Sequence, residues 1–231
     1  VDIKFVNANN ELNIDELRNW QPQFSKSEFK LENKKFFVNR EIEKMSKSKY
    51  NVVNPDEICN KFGADTLRLY EMFLGPIEQA KPWNTAGITG TFSFLNKFWN
   101  LFHKNEEFAV SDNIPSEKAL KTLHKTIKKV NQDIENFSFN TSVSAFMICV
   151  NELNTIKCNN RSILKDLCIL LSPFAPHICE EIWNKLGNNE SISTVSYPVF
   201  NLEFLKESNV EYPVSFNGKL RFKINLETTL N

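Results

Sequence analysis

"SEKALKTLHKTIKKVNQDI", Ser116 to Ile134, places Leu120, Leu123, Ile127, Val130 and Ile134 in steps of three and four. An α-helix turns once every 3.6 residues, so these side chains share one face. The same steps recur at Val143, Phe146, Met147, Val150 and Leu153, and "RSILKDLCILL" (Arg161 to Leu171) reads as a third helix. A fourth helix is expected to start at Ser172, with Pro173 and Pro176 in its first turn. First-turn N–H groups lack helical partners, so proline costs little there. Ile178, Cys179, Ile182, Trp183 and Leu186 form its apolar stripe, and Gly187 ends it. Upstream, Phe92, Leu95, Trp99 and Phe102 predict another helix. Successive amphipathic helices predict an up-and-down bundle.

The flanks have a different texture. In "NPDE", Asn54 can cap a helix, Pro55 suits its first position and Glu57 follows three residues after the cap. That helix is expected to end at Gly63, and a second, "ADTLRLYEMFL", at Gly75-Pro76. Before them, "VDIKFV" predicts a strand, "IDELRNW" a short helix, and "EFKLENKKFFV" a hairpin around Glu32-Asn33. Near the C-terminus, Asn217-Gly218 between alternating residues predicts a type I′ hairpin. The expected fold is mainly α: a helical bundle with short α+β segments at both ends. The expected division is 1–48, connector helices over 49–83, the bundle over 84–190, and an extended segment with a hairpin over 191–231.

Lysines and arginines balance acids, 28 against 28, which excludes the large basic excess of many nucleic-acid binders. Contact with RNA therefore needs a local patch. The five cysteines, Cys59, Cys149, Cys158, Cys168 and Cys179, show no CxxC spacing, so neither a zinc site nor a redox motif is indicated. A reducing, cytoplasmic setting is the simplest reading. No signal peptide is visible, and no apolar run approaches the ~18 residues of a membrane span. Val1 in first position and an end shortly after the hairpin predict a piece of a longer chain.

Two runs rich in serine and lysine invite a phosphate-binding reading. "FSKSE", Phe24 to Glu28, has no helix start after it and reads as a solvated turn. Lys44-Met45-Ser46-Lys47-Ser48 follows an expected strand and precedes the capped helix at Asn54. Lysine is a mobile point charge that can follow charge developing on a phosphate. Such a loop can stabilise departing pyrophosphate if its contacts are strongest in the transition state.

"KMSKSKYNVVNPDEICNKFGADTLRLYEMFLGP", with "KPWNTAGITG" and "LSPFAPHICEEIW", resembles leucyl-tRNA synthetases of bacterial type within the class I aminoacyl-tRNA synthetases. Tyr70 to Pro76, with Trp83 and Gly87, point to the leucyl branch; a valyl or isoleucyl enzyme is the in-class alternative. The resemblance covers about residues 28–226. It implies an ATP-dependent ligase joining leucine to its tRNA through an adenylate, with magnesium, in a monomeric parent. It also implies that Lys47 contacts the ATP phosphates, that Lys44 assists, and that Met45, Ser46 and Ser48 lie near the nucleotide or shape the loop. The HIGH-type motif of the class is absent, and His103, His124 and His177 stand apart. The 231 residues alone are thus expected not to activate leucine. Where many relatives carry arginines after the Gly-x-x-Gly, Ser93 and Asn96 occupy this chain.

The helix at Ser116 also carries lysines off its apolar stripe. Lys121, Lys125, Lys128 and Lys129, with His124, form the candidate tRNA contact. No aromatics interleave, so backbone contact rather than base readout is expected. The alternative for these lysines is a solvated helix face. For the whole chain, the alternative of a different class is a non-catalytic helical RNA-binding or interaction module in which the basic pentapeptide is vestigial. Trp99, Trp183, Phe146 and Met147 read as core, and His177 as support for a helix start. Asp65 and Arg68 are expected to brace the loop against the bundle or to pair with each other.

Overall fold

The computed structural model describes residues 1–7, 9–206 and 209–227. The chain divides into two compact units, Val1–Ile58 and Cys59–Asn231.

In the first unit, Phe5, Leu12 and Leu17 form a small core, packed by Val6, Ile14, Trp20, Phe24, Phe29, Phe36 and Val38. Helix α1 (Ile14–Trp20) starts where the side chain of Asn13 accepts the Glu16 N–H. The strand expected at "VDIKFV" is instead a 3₁₀ turn, Ile3–Phe5, followed by a single bridge from Val6 to Leu12. The reason is local: the Asp2 carboxylate accepts the Lys4 N–H and turns the chain. The hairpin at Glu32 shrinks to one bridged pair, Glu32 with Lys35, across Asn33 and Lys34 at φ of 51° and 65°. No strand precedes the basic loop among the described residues. The division between units falls within α2 (Pro55–Phe62).

The second unit is the helical bundle. It holds α3 (Ala64–Phe73), α4 (Ile88–Leu101), α5 (Glu117–Glu135), α6 (Phe139–Thr155), α7 (Arg161–Leu171) and α8 (Pro176–Lys185). Helices α5 and α6 pack together, α6 also lies against α3 and α4, and α7 lies against α5 and α8. Ile163, Leu164 and every residue from Leu167 to Leu171 are buried, which makes α7 the most enclosed helix. Only Asn136 to Ser138 separate α5 from α6, and a connection that short makes antiparallel neighbours. The Thr122 hydroxyl on α5 adds a hydrogen bond to the Glu152 carboxylate on α6, at 2.7 Å.

Two expectations change. The buried stripe of α4 is Ile88, Thr91, Phe94, Leu95, Phe98 and Leu101, while Phe92 is exposed and meets the edge of Phe62. Helix α8 starts at Pro176, not after Ser172. A cap at Ser172 would put Pro176 at the fourth helical position, whose N–H normally makes the first intrahelical bond. The chain avoids that loss by turning tightly over 172–175, where the Phe174 and Ala175 N–H groups both reach Leu171 O.

Two small hairpins complete the unit. Strands β1 (His103–Lys104) and β2 (Glu107–Phe108) pair across Asn105-Glu106. Strands β3 (Asn209–Phe216) and β4 (Lys219–Glu227) pair antiparallel. Asn217 and Gly218 have φ of 52° and 73°, both left-handed as a type I′ turn requires. No helix among the described residues is long and apolar enough to cross a membrane.

Candidate functional site

The basic loop is a short 3₁₀ turn, Lys47–Lys49, entered from an extended Ser46 and left through Tyr50 at φ 53°. A side chain outside the pentapeptide holds it. The Asn51 amide oxygen accepts the Ser46 N–H at 2.8 Å, and its NH₂ donates to Lys44 O at 3.4 Å. The Ser46 and Ser48 hydroxyls lie 3.2 Å apart. Lys49 pairs with Glu43 at 2.7 Å. No carboxylate lies within ion-pair range of Lys44 or Lys47 among the described residues. Lys44, Met45, Lys47 and Ser48 are exposed, and Ser46 is half-buried. The loop thus separates its lysines by role: Lys49 is neutralised locally, while Lys44 and Lys47 present uncompensated charge to solvent. Behind it, Tyr50 meets Trp20 edge-on at 4.6 Å, and Trp20 packs on the buried Phe5.

The second candidate surface lies on α5. At about 100° per residue, Lys118, Lys121, Lys125, Lys128 and Lys129 fall within roughly 100° of the helix circumference. The opposite arc carries the buried Ala119, Leu123, Ile127 and Val130. Lys125 and Lys129 are exposed, Lys121 and Lys128 half-exposed. Lys129 also holds the buried Asp133 one turn on.

His124 does not belong to that surface. It is buried, its Nδ1 accepts the Asn201 N–H at 3.1 Å, and Phe204 stacks on its ring at 4.7 Å. Burial holds the imidazole below its ordinary range, against the opposing pull of Asp166. The segment around the Leu202–Leu205 turn covers this ring, so it faces protein where the lysines face solvent. Sequence spacing missed this because the covering residues lie almost 80 positions away.

Two clusters explain residues that stood out in the sequence. Tyr70 is buried, donates to Asn84 O and packs edge-on against Trp83 at 5.2 Å. A Cβ at position 87 would lie 2.8 Å from the Tyr70 hydroxyl, so the glycine there is a matter of space. Asp65 and Arg68 do not pair with each other. Arg68 donates to Pro173 O, and the Asp65 carboxylate accepts from His177 and Ile178 at the start of α8. His177 thus supports a helix start, through Asp65.

Residues 116–231, half of the chain, match the family described as the anticodon-binding domain of tRNA ligase. The chain belongs to that family. Residues 30–83, which include the basic loop, match the class I tRNA synthetases for I, L, M and V. Among the relatives of this anticodon-binding family member, a leucine–tRNA ligase of Christiangramia forsetii is 60% identical over 230 residues, covering 100% of this chain and 24% of the relative. One of Flavobacterium psychrophilum is 61% identical over 233 residues, with the same coverage. The chain therefore spans about a quarter of the length of the curated relatives it matches. A crystal structure described as the ternary complex LeuRS–tRNA–LeuAMS of Agrobacterium radiobacter K84 superposes with a TM-score of 0.65 at 30% identity. It covers 81% of this chain and 26% of that one.

The donors present do not make a magnesium site. The loop offers ammonium groups and hydroxyls, and its nearest acid, Glu43, is held by Lys49. No group of three or more His, Cys, Asp or Glu side chains suited to a metal occurs among the described residues.

Proposed function

We propose that this chain is part of a leucine–tRNA ligase, supplying the loop that handles the ATP phosphates and the helical domain that binds leucine tRNA. The observation that carries the reading is identity of about 60% along the whole chain to leucine–tRNA ligases. The uncompensated charge on Lys44 and Lys47 supports it. In the parent, the leucine carboxylate attacks the α-phosphorus of ATP, the α–β phosphoanhydride bond breaks, and pyrophosphate leaves. Negative charge grows on the departing oxygens. Lys47 follows that charge, Lys44 assists, and the Ser46 and Ser48 hydroxyls and Met45 line the nucleotide side. Magnesium would accompany the ATP and supply further positive charge to its phosphates.

In this reading residues 1–48 end the catalytic or inserted region, 49–83 connect it to the bundle, 84–190 form the tRNA-binding bundle, and 191–231 add an extended segment and a hairpin. Lys121, Lys125, Lys128 and Lys129 meet tRNA phosphates, which adds affinity without sequence readout. The parent acts as a cytoplasmic monomer, where the five free thiols stay reduced. Aminoacylation by the full-length parent with leucine, valine and isoleucine tests the assignment. Only leucine is expected to charge, and Lys47→Ala is expected to lower the adenylation rate far more than it alters leucine binding. Charging with valine or isoleucine instead, or an unchanged rate in the variant, overturns it. The chain alone is expected to show no leucine-dependent pyrophosphate exchange.

A further inference from the structure

We propose that Asn51 is a positioning residue for the ATP-phosphate loop, acting chiefly through Lys47 and secondarily through Lys44; this rests on the function proposed above. The loop has little else to define its shape. It is exposed and short, and among the described residues its backbone is closed by 3₁₀-type bonds, Lys49 N–H to Ser46 O at 3.1 Å and Tyr50 N–H to Lys47 O at 3.3 Å, while the Lys49–Glu43 pair and the Tyr50–Trp20 contact hold its C-terminal side. Bonds of that kind hold single turns weakly. Lys44 and Lys47 make no ion pair of their own among the described residues, so their placement depends on the backbone that carries them.

Asn51 is half-buried and its one amide group engages that backbone twice. Its oxygen takes the Ser46 N–H, between the two lysines in sequence, and its NH₂ reaches the carbonyl of Lys44 itself. Residues 44–51 become a closed ring with the lysines projecting from it. The chain reverses inside this ring at Tyr50, at φ 53°, a conformation side-chain-bearing residues rarely adopt. Without the amide, the Ser46 N–H and Lys44 C=O turn to water and the extended Ser46 is free to rotate. The lysines keep their charge and lose their place. Misplacement of a catalytic group by about 1 Å can cost on the order of 100-fold in rate.

The test is leucine-dependent ATP–pyrophosphate exchange by the full-length enzyme that contains this chain. Wild type, Asn51→Ala, Lys47→Ala and the double variant are compared, with thermal unfolding measured alongside. Asn51→Ala is expected to lower kcat roughly 10- to 100-fold while the KM for leucine holds. Adding it to Lys47→Ala is expected to lower the rate far less than it does alone, because only the placement of Lys44 is then left to lose. Asn51→Asp keeps the oxygen acceptor for Ser46, and is expected to recover more rate than Ala and to carry the test if Ala unfolds the protein. Wild-type turnover in Asn51→Ala, or losses that multiply with Lys47→Ala, overturn the proposal while leaving the ligase reading intact. A Lys47→Ala enzyme at full rate overturns the ligase reading instead.

Discussion

The carboxylate of Asp65 caps a helix that begins beside His177, 112 residues further along the chain. It accepts the His177 ring Nδ1 at 2.8 Å, the His177 N–H at 3.3 Å and the Ile178 N–H at 2.7 Å. Pro176 at the first position of α8 has no N–H, and Ala175 before it offers no side-chain cap. The helix therefore takes its cap from α3. The arrangement satisfies orphan donors and puts negative charge where the helix dipole favours it.

Asp65→Ala is expected to destabilise the folded chain by about 0.5–2 kcal/mol, the usual cost of losing a helix N-cap. Asp65→Asn, which keeps one oxygen, is expected to fall between. Urea unfolding midpoints check both. An Ala variant as stable as wild type would mean that the cap contributes nothing.

Gly87→Ala is expected to destabilise by roughly 1–3 kcal/mol, because the new methyl meets the Tyr70 hydroxyl and ring in a packed site. Combining it with Tyr70→Phe removes the atom at 2.8 Å, so the pair is expected to cost less than the sum of the single changes. Additive losses in a thermal double-mutant cycle refute the steric account.

The His124 contact carries a pH signature. Its Nδ1 must be unprotonated to accept the Asn201 N–H, and burial lowers its folded pKa. In the window below the ordinary imidazole value the unfolded chain therefore binds more protons, so stability rises with pH there and falls as the ring is forced to protonate. Asp166, raised by burial, acts in the opposite sense: its folded form holds the proton longer. The variant His124→Asn, whose oxygen falls near Nδ1, isolates the histidine. The wild-type unfolding midpoint is expected to drop more than that of the variant between about pH 7.5 and 5. Parallel curves would exclude His124 as the titrating group.

Replacing Lys125, Lys128 and Lys129 by alanine is expected to weaken tRNA binding and to reduce the slope of log K against log salt by about 0.7–0.9 per lost phosphate contact. His124→Asn is expected to leave that slope unchanged, since its ring is covered by Phe204. Titration at several salt concentrations distinguishes the two, and an unaltered slope in the lysine variant rejects the patch.

The elements were legible wherever local chemistry decides them. Asn54, Pro55 and Gly63 bound α2, and the apolar steps of α5 and α6 correspond to buried faces. The Asn217-Gly218 turn is a hairpin because few other pairs tolerate two left-handed residues. Apolar spacing was less informative in α4, where Phe92, Phe94, Leu95 and Phe98 supply more candidates than one face can bury. The strand expected at Ile3 failed because Asp2 offered a nearer hydrogen bond than any partner strand.

By itself, the sequence determined a helical bundle, its chemistry-bearing pentapeptide and the lysine-rich face of α5. Periodicity, capping and charge act over one or two turns of chain, so the residues themselves specify them. The tertiary structure alone decided that Asp65 caps α8, that Tyr70 leaves room only for glycine at 87, and that His124 turns inward beneath Phe204. Each depends on atoms brought together by packing of elements distant in sequence, and no local pattern specifies which distant atoms those will be.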